Sequence, residues 1–95
     1  IWAGPEEART GWVQLTLEKP HRVVGVRLDE GDFPRIQKFI VEVQKDAQWV
    51  ELASGTPIGS KKNVLFDSLE ASVFRLKILE SVETPVIAEF DLLTD

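Results

Sequence analysis

Cysteine, methionine and tyrosine are absent from this chain of 95 residues, and histidine occurs once. Without cysteine, the chain can form neither a disulfide scaffold nor a thiolate metal site. No apolar run approaches the roughly 20 residues that a membrane-spanning helix requires. We therefore expect one small domain that folds around an apolar core, without a membrane as partner.

Positive charge is also scarce: the chain has 11 Lys and Arg residues and 16 Asp and Glu residues, which give a net charge of −5. Proteins that bind nucleic acid usually carry a basic stripe that contacts phosphates. The only adjacent basic pair is Lys61-Lys62. We therefore predict no nucleic-acid partner. Since the chain starts with Ile-Trp rather than Met, we also expect it to be a piece of a longer protein.

A period of two dominates the apolar pattern, as in the alternation of Val13, Leu15 and Leu17, and Gly, Pro and polar turn signals separate short apolar runs. No stretch has the caps and period of a helix. The predicted strands are 12–17, 23–28, 39–44, 49–52, 64–66, 74–78 and 88–92, with turns at 18–21, 31–34, 45–47, 54–60 and 81–85. Short strands with short connections predict an all-β, antiparallel β-sandwich or jelly roll over residues 1–95.

The segment SGTPIGSKK, residues 54–62, has the composition of a phosphate-binding loop but not its spacing. A phosphate loop needs four residues between its glycines, then Lys and Ser or Thr, then a helix. Here three residues separate Gly55 from Gly59, Lys61 follows the hydroxyl of Ser60, and a strand comes next. The segment is therefore not expected to bind nucleotide.

Catalytic residues are not predicted within the chain. His21 lies in a Lys-Pro-His-Arg turn without the oriented partners that a catalytic triad needs. Glycosidases need two carboxylates that flank a cleft. Nothing in the sequence indicates that any two of its acidic residues face each other in this way. An intrinsic enzyme would require His21 and a carboxylate, or two carboxylates, to meet in a pocket.

Three segments together resemble the discoidin domain, the coagulation factor 5/8 C-terminal type: WVQLTLEKP (12–20), RIQKFIVEV (35–43) and VFRLKI (73–78). Within that superfamily, ASGTPIGSKKNVLF (53–66) and DEGDFPRIQKFIVEVQ (29–44) are similar to the version at the C-terminus of bacterial α-L-fucosidases. The resemblance implies a jelly roll of the galactose-binding-domain type. The opening Asp-Gly segment of the family is missing here, and the usual Asp-Gly turn is replaced by Asp46-Ala47.

The resemblance implies a non-catalytic accessory domain of a secreted or periplasmic fucosidase, which binds a fucosylated or galactose-containing glycan weakly beside the catalytic domain of the parent chain. Two alternatives stay open: a structural module that supports the catalytic domain without binding sugar, and a discoidin domain of the adhesion type. No cofactor is predicted, although in this family the missing opening segment often supplies ligands to a structural calcium ion.

The alternation of antiparallel strands predicts where a ligand would bind. One end of the sandwich should collect residues 1–11, 29–36, 54–62 and 80–85, which include the longer loops, and long loops on a rigid scaffold often bind ligands. The alternative for 54–62 is that the loop only covers the core with Ile58. The candidate carbohydrate-binding residues at this end are Trp2, Arg9, Asp32, Phe33, Arg35, Lys61 and Lys62.

One aromatic residue and one basic residue on the predicted strands are expected to have structural roles. Trp49 is expected in the core, because buried aromatic residues dominate small cores. Arg75 lies between Phe74 and Leu76 and so faces away from the core, where an ion pair with Glu89 or Asp91 is expected.

Overall fold

A computed structural model describes residues 2–4, 8–31, 34–55, 58 and 62–94, with Trp2 described by its backbone alone. The described residues form seven β-strands and no helix. The strands are β1 (Trp2–Ala3), β2 (Gly11–Asp29), β3 (Ile36–Lys45), β4 (Gln48–Gly55), β5 (Lys62–Ser81), β6 (Val86–Ile87) and β7 (Glu89–Thr94).

Five of these strands form an antiparallel sheet in the order β4-β3-β5-β2-β7, while β1 pairs with β6. β2 and β5 are 19 and 20 residues long, and each takes part in two halves of the fold. The four-strand half contains β4, β3, residues 73–81 of β5 and residues 11–16 of β2. The three-strand half contains residues 62–71 of β5, residues 21–29 of β2, and β7.

One apolar core is built from inward-facing residues of both halves. Phe74, Leu76 and Phe39 of the four-strand half are fully buried in the same cluster as Val26 and Leu28 of the three-strand half. Alternate residues of each strand supply these side chains, as the period of two requires. The predicted all-β antiparallel sandwich is thus confirmed, whereas the jelly-roll topology and a single domain over 1–95 stay predictions.

The predicted turn at residues 18–21 is wrong, because β2 continues through it. The register with β5 shifts between Thr16 and His21, so the ladder is interrupted where Pro20 lies. Proline lacks the backbone N–H that a central strand donates, and it is tolerated at such irregularities. The chain therefore changes from one half of the sandwich to the other within a single strand rather than through a loop.

The turn between β3 and β4 is present as predicted, and it has an unusual residue in it. Asp46 and Ala47 both have positive φ, 50° and 66° respectively. This geometry suits the right-handed twist of a hairpin, but it normally requires Asn, Asp or Gly, since Cβ strains the left-handed region. Ala47 therefore carries strain that glycine would relieve.

Ala47→Gly is expected to raise the free energy of unfolding by about 0.5–1 kcal/mol, because relief of strain exceeds the entropy that glycine adds to the unfolded chain. Urea denaturation measures the change as a higher midpoint at unchanged slope. Ala53→Gly in β4 is the matched control, and it should lower the midpoint because glycine weakens a strand. A lower midpoint for Ala47→Gly as well would contradict the strain.

Candidate functional site

The end of the sandwich at which β3 begins brings together several segments that are distant in sequence. Backbone N–H groups of Gly4, Val82 and Ala88 donate hydrogen bonds of 2.9, 2.9 and 2.8 Å to the carbonyl oxygens of Pro85, Arg35 and Asp29. We call this region the loop end, made of residues 2–4, 29–31, 34–36 and 81–88 among those described. Of the four segments predicted to meet here, 1–11, 29–36, 54–62 and 80–85, convergence is observed for the described residues 2–4, 29–31, 34–36 and 81–85. Most of the segment 54–62 lies outside the described residues.

The buried carboxylate of Glu30 fixes backbone groups of the loop end. Its side chain is buried, with 3% of its surface exposed, and Oε1 accepts hydrogen bonds from the backbone N–H groups of Arg35 and Ile36, both at 2.8 Å. Asp29 Oδ1 similarly accepts from the N–H of Gly31 at 2.7 Å, and Gly31 has a φ of 85°. A carboxylate that accepts backbone N–H groups fixes the chain path between β2 and β3.

Arg35 crosses the loop end. Its Nη1 donates to the carbonyl oxygen of Thr84 at 2.9 Å and lies 3.8 Å from Glu83 Oε2. The Ser81 hydroxyl bonds to the carbonyl oxygens of both Arg35 and Glu83. The contacts to Thr84 and Glu83 hold the guanidinium, whereas those of Ser81 hold the backbone of Arg35 and Glu83. A shallow concavity of about 290 Å³ adjoins it, lined by Pro34, Arg35, Ile36, Gln37 and Val82.

The structure places the other predicted site residues as follows. The backbone of Trp2 pairs with Ile87 at the loop end, close to the Gly4–Pro85 bond. Lys62 begins β5 opposite Leu28, one residue before Asp29. Arg9 is exposed, and its Nη1 donates to the carbonyl oxygen of Ala8 at 3.2 Å. Asp32, Phe33 and Lys61 lie outside the described residues.

Ile58, from the glycine-containing segment 54–62, is buried in the core cluster. Of the residues around it, 56, 57 and 59–61 lie outside the described part of the chain. The burial of Ile58 agrees with the alternative in which this loop covers the core. A ligand-binding role of its lysines stays a prediction.

Arg75 is in a different place from the one expected for it. Glu89 and Asp91 pair with β2 in the three-strand half, whereas Arg75 pairs with Gln14 and Glu42 in the four-strand half, so the expected ion pair is wrong. Instead the guanidinium lies between two indole rings. Its carbon Cζ is 4.3 Å from the ring centroid of Trp12 and 3.8 Å from that of Trp49.

The Trp12–Arg75–Trp49 stack lies on the outer face of the four-strand half. Trp49 is therefore not a core residue but packs from outside, half-buried. Nη2 of Arg75 donates to Gln14 Oε1 at 3.2 Å, while its buried Nε has no hydrogen-bond partner among the described residues. Cation–π contacts replace the ion pair here. The sequence carried a signal for this stack, since Trp12 is out of phase with Val13, Leu15 and Leu17.

A larger concavity, of about 460 Å³, lies between β2 and β7, away from the loop end. Its lining is Leu15, Leu17, His21, Phe90, Asp91, Leu92 and Thr94. His21 and Asp91 both reach it, but no hydrogen bond or ion pair joins these two exposed side chains. This mostly apolar concavity, which we call the β2–β7 groove, thus lacks the connected acid and base that catalysis requires.

The described residues form neither a metal-binding cluster nor a membrane-spanning helix. Residues 2–4, 8–31, 34–55, 58 and 62–94 contain no group of three or more His, Cys, Asp or Glu that could hold a metal ion. The calcium ion that the family resemblance allows therefore stays a prediction about an intact domain. The same residues form no helix long and apolar enough to cross a membrane.

Comparisons with known proteins give the geometry a context. No protein-family model matches the chain. A protein of Oryza sativa subsp. japonica that is named as an α-L-fucosidase is 30% identical over 97 residues, which cover 99% of this chain and 19% of the rice protein.

Solved structures share the fold. One from Bacteroides thetaiotaomicron, named as an α-L-fucosidase, has a TM-score of 0.91 at 23% identity and covers 100% of this chain and 22% of its own. The chitosan-binding module 1 of a chitosanase/glucanase from Paenibacillus sp. IK-5 has a TM-score of 0.84 at 18% identity, over 96% of this chain and 74% of the module.

The chain spans about a fifth of the length of the fucosidases it matches. Its 95 residues correspond to a non-catalytic accessory domain of such glycosidases.

Proposed function

We propose that the chain is a discoidin-type domain at the C-terminus of an α-L-fucosidase, and that it binds a fucosylated or galactose-containing glycan weakly beside the catalytic domain of its parent. The observation that carries this proposal is the match of nearly the whole chain to one segment of fucosidases. The likeness in fold to a chitosan-binding module supports a carbohydrate ligand. A secreted or periplasmic parent belongs to the same proposal.

The loop end is the proposed site. The side chain of Arg35 is held by the carbonyl oxygen of Thr84, and its backbone N–H by the buried Glu30, so little side-chain entropy is lost when Arg35 binds a sugar hydroxyl. The adjoining concavity combines this polar group with apolar Pro34 and Val82. Such a mixture of apolar wall and fixed polar groups is typical of ligand sites. A tethered weak site raises the local concentration of substrate near the catalytic domain.

The β2–β7 groove favours a second candidate function. Its apolar lining by Leu15, Leu17 and Phe90 is suited to packing against another domain. In that case the chain would support the catalytic domain structurally and bind no sugar. The two functions predict different results for the same titration.

An amide NMR titration with L-fucose, galactose and a fucosylated trisaccharide tests the proposal. We expect shifts at 29–31, 35–36 and 80–84, with a dissociation constant of about 1 mM, which corresponds to about 4 kcal/mol. Arg35→Lys should weaken binding, because the fixed fork of donors is lost. Arg22→Lys, at the opposite end, is the matched control and should leave binding unchanged. An absence of shifts with every sugar would reject carbohydrate binding and favour the structural function.

A further inference from the structure

We infer that the outer face of the four-strand half carries a second saccharide-binding surface, separate from the loop end. We call it the Trp12 surface, made of Thr10, Gly11, Trp12, Lys77 and Leu79. The inference rests on the proposed carbohydrate-binding function for the class of its ligand, but it concerns different residues. It starts from an exposed tryptophan that the fold does not bury: 52% of the surface of Trp12 is accessible.

The indole ring of Trp12 is held in a fixed orientation. The Arg75 guanidinium stacks on the ring, and Arg75 pairs across the strands with Gln14. Arg75 is itself held by the ring of Trp49 and by the side-chain amide of Gln14. A ring that is clamped before binding loses little entropy when a ligand stacks on it. The clamp still leaves 52% of the surface of Trp12 accessible.

A concavity adjoins Trp12 on the part of the strands that lies away from the Arg75–Gln14 pair. The register pairs Trp12 with Lys77 and Gly11 with Ile78, one step further from the Arg75–Gln14 pair. At this position the structure has a hollow of about 320 Å³, lined by Thr10, Gly11, Trp12, Lys77, Ile78 and Leu79. This volume falls at the lower end of the range for ligand sites, so it suits a single sugar ring.

The lining groups match the chemistry of a neutral sugar. A saccharide ring has an apolar C–H face and a rim of hydroxyl groups. Trp12 and Leu79 supply apolar surface, while Thr10 has a hydroxyl and Lys77 an ammonium group. Neither the Lys77 ammonium nor the Trp12 indole N–H has a bonding partner among the described residues. Both donors are therefore available for ligand hydroxyls, whereas a protein interface would favour a broader apolar core.

The test follows the indole N–H signal of Trp12 and the amides of Thr10, Lys77 and Leu79 by NMR, with L-fucose, methyl β-D-galactoside and a fucosylated trisaccharide as probes. We expect these signals to shift in the wild-type chain. Trp12→Ala should weaken binding at this surface about tenfold, in line with the loss of a tryptophan hot spot. Shifts at the loop end should remain in the variant.

Leu65→Ala is the matched control, since Leu65 is also an exposed apolar side chain, 71% accessible, but lies in the three-strand half and does not line the hollow. It should leave affinity at the Trp12 surface within about threefold of the wild type. Lys77→Ala, which leaves the stack intact, gives a second reading if Trp12→Ala fails to fold, and it too should weaken binding.

The outcomes separate this inference from the proposed function. Shifts only at the loop end would overturn the Trp12 surface and leave the proposed function standing. An absence of shifts anywhere would reject both. Binding at the Trp12 surface that persists undiminished in both Trp12→Ala and Lys77→Ala would also overturn the inference. In the first two cases a protein contact would become the better account of the exposed ring.

Discussion

Replacing Glu30 with alanine is expected to lower the free energy of unfolding by about 3 kcal/mol, because two buried N–H groups lose a charged acceptor. Oε1 of Glu30 is the acceptor for both Arg35 and Ile36, and the side chain is almost fully buried. Alanine leaves these donors unpaired at the start of β3. Chemical denaturation of wild type and variant measures the difference.

Two comparisons make this result specific. Glu30→Gln retains an oxygen acceptor without its charge, so its cost should be smaller, about 1–2 kcal/mol. Glu89→Ala removes an exposed carboxylate from β7 and should change stability by less than about 0.5 kcal/mol. If Glu30→Ala cost no more than Glu89→Ala, the carboxylate would not be what holds the loop end. Sugar binding at the loop end should weaken together with stability, since Glu30 fixes the backbone of Arg35.

Gly25→Ala is expected to cost about 2–3 kcal/mol, because the added methyl group has no space. A Cβ at residue 25 would lie 2.5 Å from the carbonyl oxygen of Val64 and 2.9 Å from Cδ2 of Leu65. The first of these contacts is with backbone, so relief requires that β2 and β5 separate locally. Thermal and urea unfolding measure the loss.

Gly55→Ala is the informative partner variant. There the added Cβ would meet the ring of Phe39 at 2.8 Å, which is a side chain rather than backbone. A ring can tilt more readily than a strand can move, so this substitution should cost less than Gly25→Ala. The reverse order would mean that the β2–β5 ladder yields more easily than the core ring. Neither position has a positive φ, so strain of the left-handed region does not enter the comparison.

The all-β fold was predictable because alternation of apolar residues is a local signal. Val13 and Leu15 indicate the buried face of one strand, and Phe74 and Leu76 that of another. Neither indication requires the neighbouring strands to be known. The continuation of β2 through residues 18–21 was not predictable, since Pro20 in a Lys-Pro-His segment is equally typical of a turn. The strand resumes its ladder where His21 pairs with Ala71, which is 50 residues away in the sequence and therefore leaves no local signal.

The candidate site was predictable in part. Antiparallel alternation of strands correctly brought residues near 29–36 and 80–85 together, and Arg35 with them. The partner of Arg75 was not predictable, because the choice between Glu89, Asp91 and the two tryptophans depends on strand order rather than on sequence separation. The structural role of the buried Glu30 was not predicted, for a related reason. The donors to its carboxylate are backbone N–H groups, which leave no pattern in the sequence.

The two long strands also set the order in which the chain can acquire its structure. Gly11 pairs with Ile78 and Leu28 with Lys62, so β2 finds its partner only after most of the chain exists. At about 5–20 residues per second, a ribosome exposes β2 unpaired for several seconds before β5 emerges. The β3–β4 hairpin, closed by Asp46 and Ala47, is by contrast local and can form at once. The apolar face of β2 therefore stays unpaired until β5 has been synthesised.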